Sequence, residues 1–224
     1  MQVIGVAAQL ANGKDALCDY LVERLNQKCE ERDRVWGHVP RWQRSAFADA
    51  VKEVFESAFG VDREFTEQWK RNPEPPPGML QTVRKSLQFI GDGFRQIKDD
   101  IWIDIALQDE SKKLVISDSR YINEAKAVKA KGGIMIILYR PGFLNDDPNP
   151  SEAQIRPIVD WCVANISEGP ITDAIRSIPG CPDALQYYDY FLVNEGSLED
   201  LYAKADRLLI PFIEEKYKMV ASSS

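Results

Sequence analysis

At 224 residues, with 44% hydrophobic and 28% charged side chains, the chain is long enough to bury a substantial core as one large domain. Its formal charge of −7 excludes a general nucleic-acid binder, which would carry a basic face, but not a nucleotide site, which needs only a few local cations. No apolar run reaches the length of a membrane span, the N-terminus lacks a signal-peptide layout, and four scattered cysteines with one histidine, His38, argue against a Cys/His zinc site and for reduced thiols in a cytoplasm.

Residues 2–7 read as a buried strand and 14–31 as a helix, with Leu17, Tyr20, Leu21 and Leu25 at helical spacing. Between them runs Gln9-Leu10-Ala11-Asn12-Gly13-Lys14-Asp15-Ala16, the layout of a phosphate-cradling loop. The N–H groups at a helix start point outward, the helix dipole adds partial positive charge, and a lysine supplies a full one. Against the pattern G-x-x-x-x-G-K-[ST], Ala8 stands at the first glycine and Asp15 where Ser or Thr would hold magnesium.

The segment 32–45 reads as loop plus a short strand, and 46–59 as a helix closed by Gly60. Residues 72–78, with four prolines and a glycine, form an exposed connector. Helices are expected at about 79–91 and 102–107. In the first, Arg84 and Gln88 lie four apart on one face, a guanidinium for a phosphate and an amide for a base edge, with a solvated polar face as the equal alternative. Arg95 follows a glycine-containing break. Trp102 reads more readily as core than as a stacking platform.

Lys113–Asp118 is a short apolar strand ending in a carboxylate, the place from which magnesium is held in phosphoryl-transfer enzymes; an N-capping role is the alternative. Arg120 leaves the same strand end, either to clamp a phosphate or to pair with Glu124. A helix at 122–131 is closed by Gly132-Gly133, and 134–139 is a β-branched strand covered on both faces. The tract 141–182 is rich in Pro, Gly and Asp and carries one helical stretch near 155–165. A last strand at 190–193, a closing helix at 198–217 and an unstructured Ala-Ser-Ser-Ser tail complete the chain. Alternating strands and helices predict an α/β fold with a parallel, doubly wound sheet and functional loops at the strands' C-terminal ends.

Taken together, these pieces resemble the phage-type deoxynucleoside monophosphate kinases. Gly13-Lys14-Asp15 matches the family's Gly-Lys-Asp loop, with Ala16 in place of its hydroxyl residue. Phe47-Ala48-Asp49 with Lys52, then Arg84, Leu87-Gln88, Gly91, Arg95 and Trp102, are similar to its central segments. Asp118-Ser119-Arg120-Tyr121-Ile122-Asn123-Glu124, Gly132-Gly133, Tyr139-Arg140-Pro141-Gly142, Ser151-Glu152 and Val193-Asn194-Glu195-Gly196-Ser197 continue in register, and 153–188 matches least. The resemblance implies one P-loop NTP hydrolase-like domain of three layers, with an acceptor-binding insertion at about 60–107, a lid and added segment at about 140–188, and a tail at 220–224. It implies ATP as phosphate donor, held by Gln9, Leu10, Ala11, Asn12, Gly13, Lys14, Asp15, Ala16 and Arg140, and Mg²⁺ organised by Asp15 and Asp118.

By the same resemblance, Arg84, Arg95 and Arg120 surround the acceptor monophosphate and the transferred group, Gln88 and Trp102 lie near the acceptor base, and Arg156 is a weaker lid candidate. Lys14, Asp118 and Arg120 are then the catalytic set for ATP + dNMP → ADP + dNDP. The partners expected are small nucleotides, with no nucleic-acid polymer and no membrane. A homodimer and a location in the cytoplasm of an infected host are what the family suggests. Two alternatives remain open: a P-loop kinase for another phosphorylated small molecule, of the phosphomevalonate or dephospho-coenzyme A type, and an ATP-binding module without turnover.

Overall fold

The computed structural model describes residues 1–9, 11–36, 40–142 and 150–221. Leu10, His38 and the end of the tail therefore lie outside the described residues. The chain forms two compact units, Met1–Ser45 with Glu110–Ser224, and Ala46–Asp109.

In the first unit, β1 (Gln2–Ala8) is followed by α1 (Lys14–Trp36) and β2 (Trp42–Ser45). After the second unit come β3 (Lys113–Ser119), α6 (Ile122–Ala130) and β4 (Ile134–Tyr139). Then follow α7 (Pro150–Asn165), the two-residue β5 (Gly169–Pro170), α8 (Asp173–Arg176) and β6 (Tyr190–Val193). The strands form one sheet in the order β2-β3-β1-β4-β6-β5, parallel except for the antiparallel edge pair β5–β6.

Strands β1, β3 and β4 are near-continuous apolar runs because both of their faces are covered. Ile4, Val6 and Ala8 share a core with Leu17, Leu21 and Leu25 of α1. Successive strand residues point to opposite faces, and on the other face a Cβ at Gly5 would strike Met135 and lie 3.7 Å from Val128 of α6. Helices on both sides of a mostly parallel sheet make this the three-layer α/β fold that the alternation predicts.

Three elements depart from the sequence expectations here. Helix α1 runs on to Trp36, β5 is too short to show a period, and the closing helix is wound in three parts. Those parts are α9 (Leu198–Lys204), a π-wound stretch Ala205–Leu209, and α10 (Ile210–Ala221). Among the described residues no helix is long and apolar enough to cross a membrane.

The second unit is helical: α2 (Phe47–Phe59), α3 (Arg63–Lys70), α4 (Val83–Ile97) and α5 (Ile101–Ala106). Ala50, Val51, Phe55, Val83, Leu87 and Trp102 form its core. Helix α3 was not expected from the sequence. It is started by Asp62, which accepts from Phe65 N at 2.8 Å, and held by packing of Phe65 on Trp69.

Helix α4 begins at Val83 rather than 79, where Thr82 caps it by accepting from Lys85 N at 3.3 Å. It then runs straight through Gly91 and Gly93. Each glycine disfavours helix by about 1 kcal/mol, but burial of Val83 and Leu87, and of Gly91 beneath Val51, outweighs this. The expected break before Arg95 is absent.

Candidate functional site

Strands β1 and β3 are neighbours, with Ala7 opposite Ser119, so the loop after β1 and the segment Asp118–Tyr121 emerge at the same edge of the sheet. From β1 the chain crosses to α1 on one face; from β3 it crosses to α6 on the other. That divergence opens a crevice at the strands' C-terminal ends, where ligands bind in sheets of this kind.

The loop turns through two left-handed residues, Ala11 (φ 64°) and Gly13 (φ 87°). At Ala11 this costs about 1–2 kcal/mol, which the surroundings must offset. Asn12, 1% exposed, supplies the anchorage. Its side-chain Oδ1 accepts from the Arg140 backbone N–H after β4, and its carbonyl accepts from Asn194 Nδ2 after β6 at 3.0 Å. The first intrahelical bond of α1 is Leu17 N to Gly13 O, 3.0 Å. The N–H groups of Lys14, Asp15 and Ala16 precede it and have no intrahelical acceptor, so the positive end of the helix dipole lies bare at the loop.

A lysine at this end of a helix sits against the dipole, which marks a place for an anion. Lys14 Nζ lies 3.1 Å from Asp15 Oδ2, while Asp15 Oδ1 accepts from Arg44 of β2. Arg44 also donates to Asp19 Oδ1 at 2.6 Å. Burial pulls the Arg44 guanidinium down, but the hydrogen bond to Asp19 and the charges of Asp19 and Asp15 outweigh it and hold it above its ordinary value. Beneath them Cys18 is fully buried, and burial, only partly opposed by Arg44 and Lys14, pushes its thiol up to about 12. This cysteine is a packing residue without a reactive thiolate.

At the end of β3, Asp118 is half-buried and Arg120 follows it into the turn. Glu124, 2% exposed, accepts from the backbone N–H groups of Arg120 (2.8 Å) and Tyr121 (3.0 Å). It thereby fixes the turn that carries Arg120 at the start of α6. Two buried atoms at this edge, Asn194 Oδ1 and Ser119 Oγ, have no partner among the described residues. Gln9, Ala11, Asn12, Gly13, Lys14, Asp15, Ala16, Asp118, Arg120 and Arg140 all belong to this unit. Leu10 lies outside the described residues, and Arg156 is on α7.

Arg84, Gln88, Arg95 and Trp102 belong to the second unit. Because α4 is continuous, Arg84, Gln88 and Arg95 share one face, within roughly 40° of arc, with Arg95 about 16 Å further along the axis than Arg84. Arg84 and Gln88 line a cleft of about 500 Å³ with Lys70, Arg71, Asn72 and Lys85. Trp102 is 1% exposed, its ring packs on Phe94, and its Nε1 donates to Gly91 O at 3.0 Å, so it takes the core role that the residue pattern favours.

The sequence reading missed two residues of the crevice. Arg44 sits on a four-residue strand, too short for its direction to be read from a period. Asn194 was seen only as part of a strand-end motif; a polar residue directly after a buried strand is the signal that could have singled it out.

No family model matches the chain. Over 202 residues it is 28% identical to a protein named "Putative deoxynucleotide monophosphate kinase" from Acanthamoeba polyphaga mimivirus, spanning 82% of this chain and 97% of that protein. The likeness supports a kinase family. Among solved structures, dephospho-CoA kinase from Campylobacter jejuni aligns over 96% of this chain and 99% of its own, at 14% identity and a TM-score of 0.41.

Proposed function

We propose that the protein is a deoxynucleoside monophosphate kinase, transferring the γ-phosphate of ATP to a dNMP. The observation that carries this reading is the loop at Asn12–Ala16: a bare helix start with Lys14 placed against the dipole, anchored on both sides through Asn12. The relative at 28% identity supports the choice of acceptor.

Phosphoryl transfer needs alignment and charge neutralisation rather than covalent help. Lys14 and the N–H groups of the first turn of α1 hold the donor's phosphates. Arg120, on a turn fixed by Glu124, neutralises charge on the transferred group. Arg84, Gln88 and Arg95 on one face of α4 hold the acceptor.

Magnesium is commonly bound through one or two carboxylates together with substrate phosphates. Such a site needs no cluster of three or more ligating side chains, and among the described residues there is none. Asp118 fits that role. Asp15 has both oxygens engaged by cations, so it would exchange Arg44 for the metal. The ion would supply charge neutralisation between the donor's phosphates.

The reading is tested by coupled ADP release with each dNMP in turn and with other phosphorylated acceptors. We expect turnover with at least one dNMP, and a fall of about 100-fold or more in Lys14→Ala, the scale for removing a group that stabilises developing charge. Turnover only with a non-nucleotide acceptor, or full activity in Lys14→Ala, would overturn it.

A further inference from the structure

The cleft in the second unit is lined by four cationic side chains. Lys70 and Arg71 line it from the end of α3, Arg84 and Lys85 from the first turn of α4. Its one carboxylate, Glu67, lies 2.8 Å from Lys52, and the hydrogen bond from Lys52 holds it below the ordinary glutamate range although burial opposes this. The cleft is thus strongly cationic in a chain whose net charge is −7. A volume of about 500 Å³ lies within the usual size of a nucleotide or drug-sized site.

The cations come from two different helix ends. Adjacent residues on a helix point about 100° apart. Arg84 and Lys85 therefore leave α4 in different directions, while Lys70 and Arg71 border the same cleft from the end of α3.

We propose that this cleft binds an oligophosphate chain, of the kind carried by nucleoside di- and triphosphates, and that such ligands occupy the acceptor unit in competition with the monophosphate. The proposal rests on the kinase reading for its competition half; the binding half stands on the cleft alone.

The test uses the whole chain with its donor loop saturated by a non-hydrolysable ATP analogue. Calorimetry then measures orthophosphate, inorganic tripolyphosphate and a deoxynucleoside triphosphate in turn. We expect tripolyphosphate to bind at least tenfold more tightly than orthophosphate, and the double variant Arg71→Ala/Lys85→Ala, both at exposed positions, to lose at least tenfold of that affinity with its circular dichroism unchanged. Binding of the triphosphate but not of tripolyphosphate would move recognition to the nucleoside and overturn the oligophosphate assignment. So would equal affinity for orthophosphate and tripolyphosphate, or no effect of the double variant. In steady-state assays the triphosphate is expected to raise the KM for the dNMP and leave kcat unchanged; inhibition that is not competitive with the dNMP would overturn the second half. Failure of the kinase reading looks different: no dNMP is turned over, while tripolyphosphate still binds.

Discussion

A side chain at Gly13 has nowhere to go. A Cβ there would lie 2.7 Å from Asn194 Nδ2, and the amide cannot retreat without giving up its bond to the Asn12 carbonyl. The backbone adds its own objection, since a φ of 87° is a conformation that L side chains rarely adopt. Gly13→Ala should therefore destabilise the chain by at least about 1–2 kcal/mol from the backbone term alone and displace the loop that Asn12 anchors. The expected readout is a lowered urea midpoint together with weakened ATP-analogue binding measured where the fold is intact. Unchanged ATP-analogue affinity would show that the loop's shape does not depend on this contact.

At the scale of elements, α4 offers a contrast between two glycines. A Cβ at Gly91 would meet Val51 at an ordinary 3.9 Å, while one at Gly93 would meet nothing within 4 Å. Neither has a left-handed φ, so Gly93→Ala should stabilise α4 by about 0.5–1 kcal/mol and slow hydrogen exchange of its amides about two- to fivefold; faster exchange would mean that Gly93 is kept for a reason other than helix geometry. The same helix shows what a sequence can and cannot tell. Its glycines imply a break because local propensity is all that a window of residues displays, whereas burial of Val83, Leu87 and Gly91 comes from residues far along the chain. Strands β1, β3 and β4 were legible because double-sided burial makes them unbroken apolar runs. The loop at Lys14 was legible because strand, glycine, lysine and helix are contiguous. Arg44 and Asn194 were not, since their partners lie 29 and 182 residues away. The face shared by Arg84, Gln88 and Arg95 was half legible: the first pair from its spacing, the third only once the helix proved continuous.

For the sheet unit as a whole, β6 is held at both ends by different means. Asn194 after its C-terminal end braces the loop, while Asp189 before its N-terminal end ties the layers together. Asp189, 6% exposed, accepts from Lys129 of α6 at 2.7 Å and from the Met135 backbone N–H of β4 at 2.8 Å, and Lys216 of α10 stands 3.5 Å away. Since α6 and α10 cover opposite faces of the sheet, one carboxylate links all three layers. Removing one partner of a buried pair typically costs 3–5 kcal/mol, because the remaining charge is left uncompensated. Here the lysines are partly open to water, with 23% and 43% of their side chains exposed, so Asp189→Ala should fall near the lower end, about 3 kcal/mol. The site, however, lies at the opposite end of the strands. The expected outcome is a large drop in urea midpoint with ATP-analogue affinity within twofold of wild type at a temperature where the variant is folded. A parallel loss of affinity would show that the brace beneath the sheet is transmitted along β6 to Asn194 and the loop.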